Sequence, residues 1–407
     1  MARVTLLCGA LWFALAAGLP AQNADFDTLF ARLKEGPTYQ AQAPGIREMP
    51  TTVKGVSLDN TLQVPDNYDP RKKWPLRVQL HGGVSRPAPG RGEKPRGLTS
   101  NRIPTDGELI LQPRAWDGLE WWRGSQVDNI LALVDTIKQA FNVDESRIYA
   151  TGISDGGTGV YYLAMRVPTL WSACMPLNGQ PLVLANPDVG AEGELFVANL
   201  ANCPMYVVNG GRDPLYPAAQ VAPLVDVMRQ AGTAVTFRVY PEAGHDTSWW
   251  PRERESYGTF MRTHPRVAHP PRLSWETERT DRDNRVRWLV IDALGKRPSE
   301  GPLEELNTFE NVAGSPMPLF THRKPSGRVD VQRRGNVIWA MTRGVRAFTL
   351  LLSPDALDFD KPVTVNVNGQ VVFEGAVRKD VAVLQKWAAR DHDRTMLYGA
   401  EVKVTVP

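Results

Sequence analysis

The sequence predicts an α/β fold, with a mostly parallel sheet covered by helices on both faces, followed by a C-terminal β-sandwich-like module. Three observations support this prediction. Between residues 75 and 240, apolar strand patterns alternate with amphipathic helix patterns, which is typical of a parallel sheet with helical crossovers. A segment rich in proline and histidine follows at residues 264–272. Beyond it, short alternating strands appear, and Asn368-Gly369 between two of them is a strong hairpin signal.

The elements are expected in a regular order along the chain. Expected strands lie at residues 75–80, 108–113, 148–151, 174–178, 203–209 and 235–240. Between them, apolar residues recur at a helical period of 3.6, which predicts helices over residues 125–141, 158–166 and 220–231. A short amphipathic helix is also expected at residues 25–33 and another near residues 380–389.

Length and composition favour a globular protein of two domains. The chain has 407 residues, of which 42% are hydrophobic and 22% charged, and its formal net charge is +3. So small a net charge, without a long basic run, argues against a dedicated nucleic-acid-binding protein. We expect a catalytic α/β domain at residues 22–263, a linker at 264–272 and a β-rich accessory domain at 273–407. This last domain either binds a polymer or packs on the catalytic domain and shapes its cleft, and we favour packing.

The N-terminus has the pattern of a signal peptide. A basic start, Met1-Ala2-Arg3, precedes an apolar run from Val4 to Gly18, and Leu19-Pro20-Ala21 offers a cleavage site. We therefore expect residues 1–21 to be removed and the protein to be secreted or periplasmic. The apolar run is too short for a stable membrane helix, so no stable membrane insertion is expected.

The segment Gly152 to Gly156 fits the nucleophile-elbow pattern G-x-S-x-G at the end of an expected strand. A serine at the tip of a tight strand-to-helix turn has a strained backbone, and its small neighbours let the strand and helix approach closely. The turn exposes the hydroxyl of Ser154 beside the first N–H groups of the new helix. The same pentapeptide in isolation is also compatible with an ordinary Gly/Ser turn.

A glycine loop precedes the elbow in the sequence. The expected strand at residues 75–80 runs into His81-Gly82-Gly83, a loop type found at the oxyanion hole of lipases and esterases. Glycines allow backbone N–H groups to approach a substrate oxygen. We expect Gly82, Gly83 and the N–H of Asp155 to form the oxyanion hole. The alternative is a plain connecting loop.

Two further strand ends supply a candidate acid and a candidate base. Asp213 follows the strand at residues 203–209, and His245 follows the strand at residues 235–240. With Ser154 first, the order Ser-Asp-His is that of α/β-hydrolases. A neutral serine needs a base to take its proton, and His245 suits that role, with Asp213 orienting the imidazole. Glu242 and Asp246 are rival acids, and Asp213 is alternatively a cap for the turn before Pro214.

Pairs of tryptophans follow two of the expected strands: Trp121 and Trp122 come after the strand at residues 108–113, and Trp249 and Trp250 come after His245. We expect Trp121, Trp122, Trp249 and Trp250 to contribute a substrate-binding wall for a ring, a sugar or an apolar acyl chain. For each of them taken singly, packing in the core is the alternative interpretation.

Two cysteines remain once the signal peptide is removed. Cys174 and Cys203 each begin an apolar strand pattern, and an exported protein favours a disulfide between them. Two buried free thiols are an equally good interpretation.

Several runs of this sequence resemble secreted α/β-hydrolase esterases: Leu80 to Gly83, Asn142 to Gly157, and Gly244-His245 with the tryptophans behind it. The chain is most similar to the polyhydroxybutyrate-depolymerase and feruloyl-esterase-like family, which is related to prolyl-oligopeptidase-type catalytic domains. The resemblance covers about residues 53–263. It implies hydrolysis of esters without a cofactor, with Ser154 as nucleophile, Asp213 as acid and His245 as base.

The chain departs from related groups at specific positions. Polymer-acting members often have other residues after the His-Gly pair, where this chain has Gly83-Val84-Ser85, and this leaves the substrate open. Peptidases of the prolyl-oligopeptidase kind usually carry a propeller domain, which the short N-terminal segment is unable to supply. Dienelactone hydrolases are similar in fold but use a cysteine where this chain has Ser154.

Together these features predict an exported serine hydrolase that cleaves carboxylic esters through an acyl-enzyme on Ser154. The expected partner is an ester substrate, from the plant cell wall or a polyester, and not nucleic acid. No cofactor or metal is expected, since the sequence shows no Gly-rich phosphate loop and no Cys/His cluster. The alternatives are a serine peptidase of prolyl-oligopeptidase type and a non-catalytic binding protein on the same scaffold.

Overall fold

The structure, a computed structural model, describes residues 26–88, 107–296, 305–310 and 315–407. The expected signal peptide at residues 1–21 lies outside these ranges. Within the described ranges, no helix has both the length and the apolar character needed to span a bilayer.

An eight-stranded sheet forms the first unit. Its strands are β1 (Gly45–Val53), β2 (Val56–Val64), β3 (Trp74–Leu80), β4 (Leu109–Gln112), β5 (Val143–Ile153), β6 (Ala173–Leu177), β7 (Met205–Gly210) and β8 (Val235–Tyr240). Their order in the sheet is β1-β2-β4-β3-β5-β6-β7-β8. The β1–β2 hairpin and its pairing with β4 are antiparallel, whereas every pair from β4 to β8 is parallel.

Helices cover both faces of this sheet. The helices of this half of the chain are α1 (Phe26–Glu35), α2 (Gly124–Ala140), α3 (Asp155–Arg166), α4 (Ala218–Gln230) and α5 (Trp250–Thr263). Side chains alternate along each strand, so Ile148 and Ala150 of β5 join the core under α2, α3 and α4, while Tyr149 joins the core under α5. The carboxyl ends of β5, β7 and β8 meet at one edge, where the candidate residues follow them.

Two β-sheets packed around their own apolar core form most of the second unit. Its strands are β9 (Arg272–Thr277), β10 (Arg285–Val286), β11 (Leu289–Leu294), β12 (Thr308–Glu310), β13 (Pro316–Pro318), β14 (Gly327–Arg334), β15 (Val337–Arg343), β16 (Val345–Leu352), β17 (Val363–Val367), β18 (Gln370–Gly375) and β19 (Ala400–Thr405). The sheet orders are β18-β17-β15-β14-β9 and β10-β11-β16-β19, and β12 pairs with β13 separately. The predicted fold class, an α/β-hydrolase sheet followed by a β-rich module, is confirmed.

The expected hairpin and helix of this unit are present. Asn368 and Gly369 both have positive φ, 51° and 87°, and they join β17 to β18 in the tight turn that their sequence predicts. Helix α6 (Val381–Asp391) begins after Asp380, whose carboxylate accepts the N–H groups of Ala382 and Val383 at 2.7 and 3.2 Å.

The two units contact each other through segments that the sequence analysis assigned to the catalytic domain or to the linker. Helix α1, expected in the catalytic domain, instead places Phe26 and Leu29 against Leu384 of α6, because its apolar face is buried there. The expected linker is not a free segment either. Arg266 is buried within it, donates its N–H to Ser146 O at 2.7 Å and forms an ion pair with Asp393 at 2.6 Å.

Buried ion pairs join the two units directly. Arg166, at the end of α3, contacts Glu278 at 2.8 Å and Asp283 at 2.6 Å. Arg394 contacts Glu145, near the start of β5, at 2.5 Å. Because these charged side chains are buried away from water, removing one partner of a pair leaves the other as an uncompensated buried charge.

Cys174 of β6 and Cys203, just before β7, bring their sulfur atoms to 2.8 Å. Both residues are buried and present free thiols in this structure. Burial raises the pKa of the Cys174 thiol, so its neutral form is favoured.

Candidate active site

Ser154 occupies a strained turn between β5 and α3. Its φ and ψ are 56° and −124°, a region that residues with side chains rarely adopt. A Cβ atom at Gly152 would overlap the carbonyl of Gly156, and one at Gly156 would overlap the carbonyl of Leu80. The glycines of the pentapeptide are therefore required by close backbone approach, as the sequence predicts.

His245 lies between Ser154 and Asp213. Its Nε2 is 2.8 Å from Ser154 Oγ, and its Nδ1 is 2.7 Å from Asp213 Oδ2. Because a carboxylate only accepts, we place the imidazole proton on Nδ1, which leaves Nε2 to accept the serine hydroxyl proton. The side chain of Asp213 is fully buried, and its second oxygen accepts the N–H groups of Leu215 and Tyr216 at 2.8 and 2.9 Å.

The rival acids identified in the sequence lie elsewhere. Glu242 is exposed and pairs with Arg212 at 2.7 Å, and Asp246 accepts the N–H of Ser248 at 2.8 Å. Asp213 is therefore the carboxylate in contact with the His245 ring.

Asn178 connects the loops that carry Asp213 and His245. It follows β6 with a φ of 45° and is fully buried. Its amide nitrogen donates to Asp246 O at 2.8 Å, and its amide oxygen accepts the N–H of Gly210 at 3.3 Å. Sequence reasoning assigned it no role, since an Asn at a strand end carries no signal that predicts two such contacts.

The glycine loop packs directly against the elbow. A Cβ atom at Gly82 would lie 2.9 Å from Ser154 Cβ, and Gly83 has a φ of 72°. The structure therefore brings the backbone at Gly82 beside Ser154, and Asp155 follows as the first residue of α3, where helix N–H groups lack intrahelical partners.

His81 fixes the start of this loop. Its Nδ1 donates to Gly82 O at 2.8 Å, and its Nε2 accepts the N–H of Ala115 at 3.2 Å. Burial lowers the pKa of His81 to about 4, so the ring is neutral at physiological pH and retains both hydrogen bonds. This imidazole makes structural contacts, and His245 is the histidine in contact with Ser154.

Three of the four tryptophans expected to bind substrate are buried. Trp121 donates its indole N–H to His81 O at 2.9 Å, and Trp122 donates to Val189 O at 3.1 Å. Trp249 is fully buried and stacks on Tyr240 with ring centroids 5.3 Å apart. A substrate has no access to these rings, so they pack the loops that support the site. Only Trp250, which is half-buried against Trp249, retains surface that a ligand is able to contact.

The described residues contain no group of three or more His, Cys, Asp or Glu side chains suited to a metal ion. Among the polar side chains at the strand ends, those of Ser154, His245 and Asp213 form one hydrogen-bonded series. This arrangement is suited to proton transfer from a hydroxyl to an imidazole.

Comparison with protein families finds the dienelactone hydrolase family at residues 105–259. This match includes the elbow and both loops that contribute Asp213 and His245. The chain carries a domain of the α/β-hydrolase fold. Within this match, Ser154 stands at the centre of the elbow.

The curated relatives that this chain matches include feruloyl esterases. The probable feruloyl esterase C of Aspergillus niger is 27% identical over 199 residues, which are 47% of this chain and 69% of that protein. The feruloyl esterase C of Emericella nidulans is 29% identical over 190 residues, which are 44% of this chain and 66% of that protein. The match therefore spans about two thirds of each relative and less than half of this hydrolase. Together with the family match, these relatives point to a carboxylic ester hydrolase.

Among solved structures, the hydrolase is similar to a thermostable esterase. The two share 23% sequence identity, the match covers 54% of this chain and 63% of the other, and the TM-score is 0.41.

Proposed function

We propose that this hydrolase is an exported serine esterase that cleaves carboxylic esters through an acyl-enzyme on Ser154. One observation carries the proposal: His245 is within hydrogen-bonding distance of Ser154 on one side and of Asp213 on the other, at 2.8 and 2.7 Å. The family match and the feruloyl esterase relatives support the ester as the bond cleaved.

The reaction begins with proton transfer. As Ser154 Oγ attacks the ester carbonyl carbon, His245 Nε2 takes the hydroxyl proton, and Asp213 stabilises the imidazolium through Nδ1. His245 then returns the proton to the leaving alcohol, so that the alcohol departs neutral and the acyl group remains on Ser154. A water molecule, deprotonated by the same imidazole, releases the acid and restores the serine.

The backbone around Ser154 is proposed to stabilise the oxyanion. The N–H of Asp155 at the start of α3 and those of Gly82 and Gly83 are the donors in this proposal, and Gly82 packs against Ser154. Losing one such donor costs about 3–4 kcal/mol of transition-state stabilisation in other enzymes.

The proposed substrate class is a plant cell-wall ester, with a hydroxycinnamoyl ester as the first example to test. This proposal follows the relatives that are named feruloyl esterases. The half-buried Trp250 and Leu215, which is 60% exposed beside Asp213, offer apolar surface near the strand ends for a ring or acyl chain.

The test compares p-nitrophenyl acetate, methyl ferulate and an amide of matched acyl group, using the mature protein beside Ser154→Ala. We expect turnover of both esters, none of the amide, and loss of turnover in the variant. Preferred cleavage of the amide would instead identify a peptidase. If neither ester nor amide is turned over and a fluorophosphonate fails to label Ser154, the scaffold is a binding protein.

Export is tested separately. We expect N-terminal sequencing of protein from the periplasm or the medium to begin at Gln22. An intact Met1 on the exported protein contradicts the proposed signal peptide.

A further inference from the structure

The side chain of Asp155 contacts both loops that flank Ser154. Its Oδ2 accepts the N–H of Val84, which follows the glycine loop, at 2.9 Å. Its Oδ1 accepts the hydroxyl of Tyr216 at 3.4 Å. One carboxylate therefore joins the elbow, the glycine loop and the loop after β7.

The Val84 contact constrains the position of Gly82 and Gly83. Val84 is fully buried, and its N–H is turned inward to the carboxylate instead of outward to water. Gly83 has a positive φ and no side chain that limits its rotation. Fixing the N–H immediately after this pair therefore limits how far the two glycines move relative to Ser154.

The Tyr216 contact constrains the other side of the site. The backbone N–H of Tyr216 donates to Asp213 Oδ1 at 2.9 Å, and its ring packs edge-on against His245 with centroids 5.4 Å apart. Burial and the neighbouring Asp155 raise the pKa of Tyr216 to about 12, so its hydroxyl stays protonated and continues to donate.

The proposed mechanism gives no direct role to a negative charge on the side chain of residue 155. The N–H of the same residue is a proposed donor to the oxyanion, and a nearby carboxylate opposes negative charge on the substrate. The two hydrogen bonds of the Asp155 carboxylate, which hold Val84 and Tyr216 in place, account for an acidic residue at this position. Asp155 also lies in the first turn of α3, where the helix dipole favours a negative charge. The dipole alone, however, does not account for the hydrogen bonds to Val84 and Tyr216.

We propose that Asp155 and Tyr216 form a clamp that positions the oxyanion donors of the glycine loop relative to Ser154 and His245. The inference rests on the proposed esterase function and deepens it. Asp155 acts here as a positioning residue, through its side chain, while its backbone N–H is preserved in every variant of that position.

Three variants separate hydrogen bonding from charge. Asp155→Ala removes both contacts. Asp155→Asn retains both, since its amide oxygen accepts the Val84 N–H and its amide N–H donates to the Tyr216 hydroxyl, which then acts as the acceptor. Tyr216→Phe removes one contact. Glu242→Gln is the matched control, because it removes an exposed charge from a neighbouring loop.

The measurements are kcat and KM for p-nitrophenyl acetate, the melting temperature, and inhibition by a boronic acid that forms a tetrahedral adduct with Ser154. For Asp155→Ala we expect kcat to fall by about 30- to 100-fold with KM changed less than about threefold, because a misplaced oxyanion donor affects the transition state selectively. The inhibition constant of the boronic acid should rise by a similar factor. Glu242→Gln should remain within about threefold of wild type, and Asp155→Asn, which keeps both hydrogen bonds, should retain a kcat at least about tenfold above that of Asp155→Ala.

Tyr216→Phe provides an independent result. We expect it to lower kcat by about three- to tenfold in the wild-type background and to have no further effect in Asp155→Ala, since the contact is already absent. Additive losses contradict the clamp.

The outcomes distinguish this inference from the proposed function. A folded Asp155→Ala protein with wild-type kcat overturns the clamp while wild-type turnover, abolished by Ser154→Ala, still supports the esterase. An Asp155→Asn protein as impaired as the alanine variant also overturns it, because charge and not hydrogen bonding then matters. A wild-type protein without turnover overturns both.

Discussion

At the scale of single residues, a few side chains carry most of the candidate chemistry. Ser154 has a strained backbone with a φ of 56°, and the close backbone contacts at Gly152 and Gly156 leave no room for a side chain on either side of it. Asp213 is buried, and its two carboxylate oxygens accept three hydrogen bonds, one from the His245 ring and two from backbone N–H groups. Such a carboxylate stays fixed because any rotation leaves buried donors unpaired.

Buried histidines affect stability at the same scale. Burial lowers the pKa of His269 to about 4, below its ordinary value of 6.5. Between these two values the unfolded chain binds a proton that the folded chain does not, so the free energy of unfolding falls as the pH falls. Since a shift of one pKa unit corresponds to 1.36 kcal/mol, His269 alone lowers the free energy of unfolding by about 2 kcal/mol between pH 7.5 and pH 5.

We therefore expect His269→Gln to remove this part of the acid sensitivity. The free energy of unfolding is measured with urea at pH 7.5, 6 and 5. As the pH falls from 7.5 to 5, wild type should lose about 2 kcal/mol more than the variant. His264→Gln, at the half-buried end of α5, is the control. A difference that stays constant with pH contradicts the assignment.

At the scale of secondary-structure elements, the turns after β5, β7 and β8 create the site. Parallel strands end at one edge of the sheet. His245 therefore contacts Ser154, 91 positions before it in the chain, and Asp213, 32 positions before it. Pairing of β6 with β7 likewise brings Cys174 and Cys203 together, although 29 positions separate them.

We predict that these two cysteines are oxidised to a disulfide in exported protein. Each thiol would give up one proton and one electron to the oxidising machinery of the compartment, and the bond would close a loop whose contribution to stability is about 3–4 kcal/mol. Thiol titration of the denatured mature protein should find no free thiol before reduction and two after it. Two free thiols before reduction contradict the prediction.

At the scale of the whole molecule, the β-rich unit is joined to the hydrolase sheet by buried charges. The guanidinium of Arg394 donates two hydrogen bonds to Glu145 and one to Asn142, at distances from 2.5 to 2.9 Å. Glu145 lies near the start of β5, the strand that ends at Ser154. These contacts favour a packing role for the unit over a separate binding role.

Removing one partner should therefore be costly. We expect Arg394→Ala to lower the free energy of unfolding by about 3–5 kcal/mol, because Glu145 is left as an unpaired buried charge. The double variant Arg394→Met with Glu145→Leu should recover a large part of this loss. Arg334→Ala, at an exposed position, is the control. Urea unfolding measures all three, and a loss below about 1 kcal/mol for Arg394→Ala argues against an interface of this strength.

The sequence by itself determined the fold class, the elbow and the hairpin at Asn368. It did so because each depends on local rules: alternation of strand and helix patterns, glycine at tight turns, and positive φ at Asn-Gly. It also singled out Ser154, Asp213 and His245, since their order and their places after strands follow from chain topology.

Only the tertiary structure decided the contacts between distant segments. The packing of α1 on α6, the burial of Trp121 and Trp249, and the joint contact of Asp155 with Val84 and Tyr216 have no signal in spacing or composition. A tryptophan after a strand is equally suited to a cleft wall and to a core, and an aspartate after a serine has no fixed partner. Which of these occurs depends on the elements packed around each residue, and that arrangement exists only in the folded chain.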